Sequence, residues 1–170
     1  MSIAPDITGS LRSELEALLG QPLYRQISDP VEVGAIRLFA AAIGDGHPAW
    51  WANEPECPPA LLSAWNRPLM WQPGTGAQDS APGLALHFQL KDMLALPLAV
   101  VADSEMEVGA PCRSGMRVGS TQTLVSIGPL RTNRLGSGRD WSLRIEYRCA
   151  ASGLLLGAEN LRFFAYGAAA

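Results

Sequence analysis

A strict alternation of apolar and polar residues near the carboxyl-terminal end constrains the fold most. Between positions 141 and 149 every second residue is apolar, and the residues between them are polar or charged; the apolar set is Trp141, Leu143, Ile145, Tyr147 and Cys149. A period of two is typical of a β-strand, because successive side chains point to opposite faces of a sheet. One face of this strand is therefore predicted to be buried and the other to face water, as in antiparallel sheets.

A buried helix is predicted to precede the sheet. Residues 84–96 follow the segment Ser80-Ala-Pro-Gly and end at Pro97, and their apolar side chains are placed almost all round a helix. Further strands are predicted over 100–108 and 116–127, with a last strand through Leu161, Phe163 and Ala165. These patterns alone indicate an α+β protein in which a helix lies against an antiparallel sheet.

The first 82 residues are predicted to be less regular. Ser10 and Gly20 would begin and end a short amphipathic helix, 21–29 reads as extended, and Asp29-Pro30 would open a second helix that runs to Ile43. Residues 50–82 are rich in proline and in tryptophan, and only 60–66 is expected to be helical. Because so long a loop is usually functional, we predict a lid or an interface arm.

Length and composition favour one domain. The 170 residues predict a single domain with three parts, namely a helix and lead-in (1–29), a helix with a Pro/Trp-rich overhang (30–82), and the central helix and strands (83–166). The net charge of −3 gives no basic patch for nucleic acid. We expect no membrane span, because no run of about 18 apolar residues occurs.

Cysteine usage and the amino terminus predict a cytoplasmic protein. The 3 cysteines and 2 histidines show no metal-ligand spacing, and no signal-peptide pattern is evident, so we expect reduced thiols, no metal and a cytoplasmic location. A single lysine among 13 basic residues favours a GC-rich bacterial origin.

A chemically distinctive segment ends the second predicted helix, at Gly44-Asp45-Gly46-His47-Pro48-Ala49-Trp50. It resembles the signature of the MaoC-like, hot-dog-fold enoyl-thioester hydratases and dehydratases. In active members of that family an Asp is followed five positions later by a His, with a Pro between them. Here Asp45 and Pro48 match, but the fifth position is Trp50 and the nearby histidine is His47.

Other segments carry the same resemblance in the same order. Residues 58–65 are similar to an Ala-Pro-Pro…Trp stretch of the family's N-terminal dehydratase-type domain, 109–119 to a turn between its second and third strands, and 132–141 with Glu146-Tyr147 to a later stretch. The resemblance implies a hot-dog fold, an antiparallel sheet wrapped around a long central helix, here with an irregular N-terminal helical arm.

The resemblance also implies the chemistry of adding water across the double bond of an enoyl thioester. A carboxylate and an imidazole move the protons, backbone N–H groups at a helix amino terminus polarise the carbonyl, and an apolar tunnel holds the acyl chain. Asp45 and His47 are the candidate catalytic residues, although His47 lies two residues after Asp45 rather than five. The candidate substrate-binding residues are Trp50, Trp65, Gly83, Leu84 and His87.

Some of these residues have a structural alternative. His87 fits a buried core histidine as well as a substrate contact, and Trp50 fits a side chain that fills the vacant catalytic pocket, since an indole N–H only donates. Arg113, Arg131 and Arg139 are candidates for the coenzyme A phosphates, because Arg suits anionic groups. No metal and no cofactor other than the coenzyme A thioester substrate is expected.

Three functions follow as hypotheses. The first is a subunit of a heteromeric 2-enoyl-CoA hydratase, whose partner is a second hot-dog subunit that carries an intact Asp and His. The second is a self-sufficient hydratase, as a homodimer, or a hot-dog thioesterase that uses Asp45 and His47. The third is a non-catalytic module that binds an acyl thioester of coenzyme A or of an acyl-carrier protein. Fold alone separates none of them.

Overall fold

Seven strands of the described chain form one sheet. The computed structural model describes residues 2–7, 9–67, 73 and 82–167. The α-helices are α1 (Gly9–Leu18), α2 (Val33–Ala42), α3 (Pro48–Trp51) and α4 (Ala85–Met93). Two 3-10 helices span Pro59–Asn66 and Pro82–Leu84. The strands are β1 (Ser2–Ile3), β2 (Pro22–Pro30), β3 (Leu98–Val108), β4 (Arg117–Ile127), β5 (Arg131–Asn133), β6 (Gly136–Cys149) and β7 (Leu155–Tyr166).

The sheet is antiparallel except at one short contact. The main strand order is β1-β4-β6-β7-β3; β2 also pairs with β4, and β5 with β6. The two-residue β1 alone runs parallel to its neighbour among the described strands. The predicted α+β architecture is confirmed.

The alternating residues of β6 are buried on one face only, as predicted. Its apolar residues from Trp141 to Cys149 are buried, and the residues between them are half-buried or exposed. They lie on what we call the inner face of the sheet, and they belong to two apolar clusters. The first cluster joins α1 and α4 to the Trp141 end of β6, and the second joins α2 and the Pro59–Asn66 helix to the Tyr147 end.

The second helix starts later than predicted. Pro30 pairs with Arg117 as the last residue of β2, and Glu32 is the residue that precedes the first turn of α2. The prediction was wrong because proline is accepted at the edge of a strand as well as at a helix start, and the pairing partner lies far away in sequence.

The central helix is shorter than its apolar pattern suggested. It ends at Met93, and Ala95 has φ of 50°, a left-handed backbone conformation that no α-helix contains. Within α4 the buried residues are Leu86, His87 and Leu90, so the described part of the chain covers one face of this helix rather than all of it. The segment Ser80-Ala81, which the sequence analysis singled out, lies outside the described residues.

Candidate functional site

The Asp45 turn is closed by hydrogen bonds to the Asp45 carboxylate. Its Oδ1 accepts the backbone N–H of His47 at 2.9 Å, and its Oδ2 accepts the indole N–H of Trp50 at 2.8 Å. The Trp51 indole donates to the Asp45 carbonyl oxygen at 3.0 Å. Helix α2 presents this turn, because the Asp45 N–H donates to the Ala40 carbonyl oxygen at 2.8 Å just beyond its end.

Trp50 therefore forms a hydrogen bond to the carboxylate that a histidine five residues after Asp45 would be expected to contact. The indole N–H donates a hydrogen bond but cannot accept a proton. The N–H of His47 and then the Trp50 indole lower the pKa of Asp45 below its usual range, because both stabilise the ionised form. A carboxylate stabilised in this way is a weaker base, and catalysis by Asp45 with His47 stays a prediction.

The His47 ring forms its hydrogen bond elsewhere than on this carboxylate. Its Nδ1 accepts the backbone N–H of Ala49 at 3.3 Å and so caps α3, and its ring lies 4.8 Å from that of Trp50. The contact between His47 and Asp45 runs through the His47 backbone. The structure thus places the two predicted catalytic residues in one turn, without a side-chain hydrogen bond between them.

Three predicted substrate-binding residues do come together. Trp50, Trp65 and Leu84 all pack against the second apolar cluster. We call these three residues and that cluster the tryptophan wall. The Trp65 indole donates to Cys57 Sγ at 3.1 Å, and the Cys57 N–H donates to the Cys112 carbonyl oxygen at 2.7 Å. These bonds fix the overhang to the connection between β3 and β4.

The amino terminus of α4 is partly occupied by the protein itself. The Leu86 N–H, in the first turn, donates to Gln122 Oε1 at 3.0 Å in a buried position. A Cβ added at Gly83 would lie 3.7 Å from the Asn66 carbonyl oxygen, an ordinary contact, so the protein does not itself require glycine there. Binding of a thioester carbonyl by the N–H groups of Gly83 and Leu84 stays a prediction.

His87 contacts two members of the first apolar cluster, Trp141 and Phe163. It is buried, and its Nδ1 accepts the Trp141 indole N–H at 3.3 Å. Its ring centroid lies 4.0 Å from that of Phe163. Burial, and then the charge of Lys91, lower the pKa of His87 to about 4. The structure favours a neutral core histidine that packs against the first apolar cluster.

The environment of His87 predicts a pH dependence of stability. Because its pKa falls from 6.5 to about 4 on folding, the unfolded chain binds this proton more tightly. The free energy of unfolding should therefore fall as the pH drops from 6.5 towards 4, by at most about 1.4 kcal/mol per pH unit from this group. Denaturant unfolding between pH 7 and 4 measures the slope. The His87→Gln variant keeps an acceptor for Trp141 and should flatten the profile; an unchanged slope would contradict this origin.

The three predicted phosphate ligands lie at opposite ends of the sheet. Arg113 precedes β4, whereas Arg131 and Arg139 lie near the start of β6, whose 14 residues extend about 45 Å at the rise of a strand. Each also has a carboxylate partner: Glu56 for Arg113 at 2.7 Å, Asp140 for Arg131 and Asp6 for Arg139, both at 2.9 Å. One phosphate group cannot contact all three.

Sequence reasoning missed two polar side chains, Gln122 and Glu159, in one cross-strand row on the inner face. Gln122 of β4, Ile145 of β6, Glu159 of β7 and Met106 of β3 are direct neighbours across the strands. Gln122 is 1% exposed, and the nearby Tyr147 donates to Glu159 Oε2 at 2.9 Å. The sequence signal was that Gln122 lies on the same face of the strand as the buried positions 118 and 124. The β-branched residues at 121, 123 and 125 lie towards the opposite face.

A second buried amide side chain lies beside β4. Asn66, which is 7% exposed, donates through Nδ2 to the Val118 carbonyl oxygen at 3.1 Å. Its buried Oδ1 has no hydrogen-bond partner in the described structure. Among the described residues, no group of three or more His, Cys, Asp or Glu side chains is arranged to hold a metal ion. Nor does that part of the chain contain a helix long and apolar enough to cross a membrane.

Comparison with known proteins rests on structure. Neither the known family models nor the curated protein sequences match this chain. A chain of the ChsH1-ChsH2 complex from Mycobacterium tuberculosis is similar, with a TM-score of 0.71 and 20% identity over 94% of this chain and 91% of that one. The chain has the hot-dog fold. The predicted likeness to MaoC-like dehydratases is confirmed at the level of structure.

Two further structures extend the comparison. A chain of the HadBC (3R-hydroxyacyl-ACP dehydratase) complex from Mycobacterium tuberculosis has a TM-score of 0.50 and 14% identity, over 86% of this chain and 99% of that one. The MaoC-like dehydratase from Phytophthora capsici has a TM-score of 0.53 and 10% identity, over 92% of this chain but only 50% of that one. At these identities the likeness establishes the fold.

Proposed function

We propose that this chain is a subunit of a heteromeric 2-enoyl-CoA hydratase of the MaoC-like type. It shapes the acyl-thioester pocket, and a second hot-dog subunit carries the catalytic Asp and His. The observation that carries the proposal is the hydrogen bond from the Trp50 indole to the Asp45 carboxylate. Hydration needs a group that both takes and returns a proton, and an indole can do neither here.

The unpaired edge of β3 supports a partner subunit. This strand of 11 residues pairs with β7 along one side, and no other described strand pairs with it. Val101 and Val108 are 58% and 66% exposed. Natural sheets protect long edges with proline, charged side chains, bulges or a covering segment. β3 contains no proline or lysine, and its own protection consists of three carboxylates and a register shift between Val101 and Asp103. An edge of this kind fits the edge strand of a second subunit.

The structural neighbours support the same arrangement. Two of them are described as complexes, ChsH1-ChsH2 and HadBC, and the second is described as an acyl-ACP dehydratase complex. A third chain is twice the length that it shares with this one, which leaves room for a second unit within one polypeptide. We propose that this chain likewise acts on a thioester, uses no other cofactor and is cytoplasmic.

An assay of the chain by itself tests the proposal. The purified protein should bind a saturated acyl-CoA but should hydrate crotonyl-CoA or a longer enoyl-CoA no faster than buffer does. The Asp45→Asn and His47→Ala variants should give the same result as the natural chain. Robust hydration by the chain alone that disappears in both variants would instead establish a self-sufficient enzyme. Hydrolysis of the thioester in place of hydration would identify a thioesterase.

The β3 edge gives a separate prediction about assembly. A lysine in place of Val101 would place an unpaired charge inside the proposed interface, which costs enough to weaken association by about 100-fold. The Leu130→Lys variant is a matched control, because Leu130 is 55% exposed and precedes β5, away from this edge. Analytical ultracentrifugation or co-purification with the partner measures the effect. Equal association of the two variants would exclude β3 from the interface.

A further inference from the structure

Cys57 and Cys112 lie directly opposite each other where the overhang meets the connection between β3 and β4. Glu56 and Arg113 form an isolated antiparallel bridge, so the residue after Glu56 faces the residue before Arg113. The Cys57 N–H donates to the Cys112 carbonyl oxygen at 2.7 Å, in agreement with this register. Because directly opposite residues of an antiparallel pair share a face, the two side chains lie side by side.

The two thiols are in contact and are not joined by a disulfide. The Cys112 thiol donates a hydrogen bond to Cys57 Sγ, and the Trp65 indole N–H donates to the same sulfur at 3.1 Å. The hydrogen bond from Cys112 lowers the pKa of Cys57; burial opposes this change and the indole N–H adds to it. The same contact, together with burial, raises the pKa of Cys112. Cys57 is therefore the sulfur that reacts first as a thiolate.

The backbone of the bridge already has the spacing that a disulfide needs. Directly opposite residues of an antiparallel pair have Cα atoms about 4.5–5.5 Å apart. Disulfides join Cα atoms that are about 4.4–6.8 Å apart. The Glu56 carboxylate binds Arg113 at 2.7 Å, and the Ser114 N–H donates to the Pro55 carbonyl oxygen at 3.0 Å. These neighbouring contacts hold the register, so the sulfurs can be joined without a rearrangement of the backbone.

Cys149, the third cysteine, serves as an internal reference. It belongs to the same apolar cluster and is 8% exposed, against 5% for Cys57 and for Cys112. Its cross-strand neighbour is Val118 of β4 rather than a cysteine. If exposure alone decided reactivity, Cys149 would react at least as readily as the other two. The opposed pair differs from it in having a second sulfur in register.

We propose that Cys57 and Cys112 are a site of reversible oxidation, at which hydrogen peroxide converts the two thiols to a disulfide that covalently joins the overhang to the β3–β4 connection. Hydrogen peroxide is the oxidant that suits this site, because it is little larger than water and the thiols are almost fully buried. The site is separate from the proposed hydration and does not depend on it.

The oxidation proceeds in two steps and consumes one peroxide. The Cys57 thiolate attacks a peroxide oxygen, the O–O bond breaks, and a sulfenic acid forms as hydroxide leaves. That hydroxide takes the Cys112 proton and becomes water. The Cys112 thiolate then attacks Cys57 Sγ, so that the S–S bond forms, the S–O bond breaks, and hydroxide leaves to combine with the proton that Cys57 released. The sulfurs lose two electrons, which the peroxide gains.

Peptide mapping of the natural chain tests the inference without any substitution. The reduced protein is treated with hydrogen peroxide, unfolded in iodoacetamide to block the remaining thiols, and digested with trypsin, which cleaves after Lys91 and Arg113 and so separates the three cysteines. The expected product joins the Cys57 and Cys112 peptides and leaves Cys149 alkylated; dithiothreitol should restore all the thiols. Absence of a disulfide, or a bond that includes Cys149, would overturn the inference.

Variants test which sulfur reacts first. In Cys112→Ser the sulfenic acid on Cys57 has no partner, so dimedone should trap it, whereas Cys57→Ser should give at least about 10-fold less adduct. Trp65→Phe removes the indole N–H and should slow disulfide formation about threefold or more. Trp51→Phe is its matched control, because the Trp51 indole bonds within the Asp45 turn. Equal rates in the two tryptophan variants, or equal trapping in the two cysteine variants, would contradict the assigned order of attack.

Thermal unfolding tests whether the disulfide secures the overhang. Oxidation should raise the Tm of the natural chain by about 5 °C, because joining residues far apart in sequence constrains the unfolded chain. The Cys149→Ser variant should show the same rise, and Cys112→Ser, treated in the same way, should show none. A natural chain that forms the disulfide without a rise in Tm would contradict this effect on the overhang.

Discussion

Hydration of an enoyl-CoA should rise by at least about 100-fold when this chain is combined with a hot-dog subunit that carries an Asp followed five residues later by a His. The expected gain is large because the partner would supply the imidazole that Trp50 replaces. Loss of the enoyl absorbance, followed with each subunit alone and with the mixture, measures it. The neighbouring gene is the natural place to look for such a subunit.

Variants of the two subunits show which chain catalyses hydration in that mixture. Asp45→Asn and His47→Ala in this chain should leave the rate within about twofold, because both side chains are engaged in their own turn. The same exchanges in the partner's Asp and His should abolish hydration. A mixture no faster than the sum of its subunits would reject the heteromeric hydratase and favour a non-catalytic binding module.

Replacing Trp141 with alanine should cost about 3–5 kcal/mol of unfolding free energy, the usual range for a large buried aromatic residue. Trp141 is 1% exposed, belongs to the first apolar cluster, and donates its indole N–H to His87. Its removal would leave both a cavity and an unmet acceptor. Denaturant unfolding monitored by far-ultraviolet circular dichroism gives the difference.

Trp51→Ala is the matched control for this exchange. Trp51 is 45% exposed and bonds only within the Asp45 turn among the described residues. Its replacement should change the free energy of unfolding by no more than about 1 kcal/mol. Similar losses in the two variants would show that Trp141 does not hold the core as its burial indicates.

Much of the fold could be predicted because its patterns are local. The alternation in β6 shows its buried face by itself, and Gly20, with φ of 73°, follows α1 where a helix was expected to stop. The errors arose where a distant partner decides. Pro30 stays in β2 because of Arg117, and Gln122 faces the core because it accepts the Leu86 N–H. Neither partner is visible from the neighbouring sequence.

In the candidate site, too, local contacts could be predicted and distant contacts could not. The sequence by itself determined the Asp45 turn, because the six residues from Asp45 to Trp50 close their own hydrogen bonds within one turn of chain. Only the tertiary structure decided that Trp50, Trp65 and Leu84 share one wall and that Tyr147 meets Glu159. Those contacts depend on strand register and on helix packing, which bring together residues that are far apart in sequence.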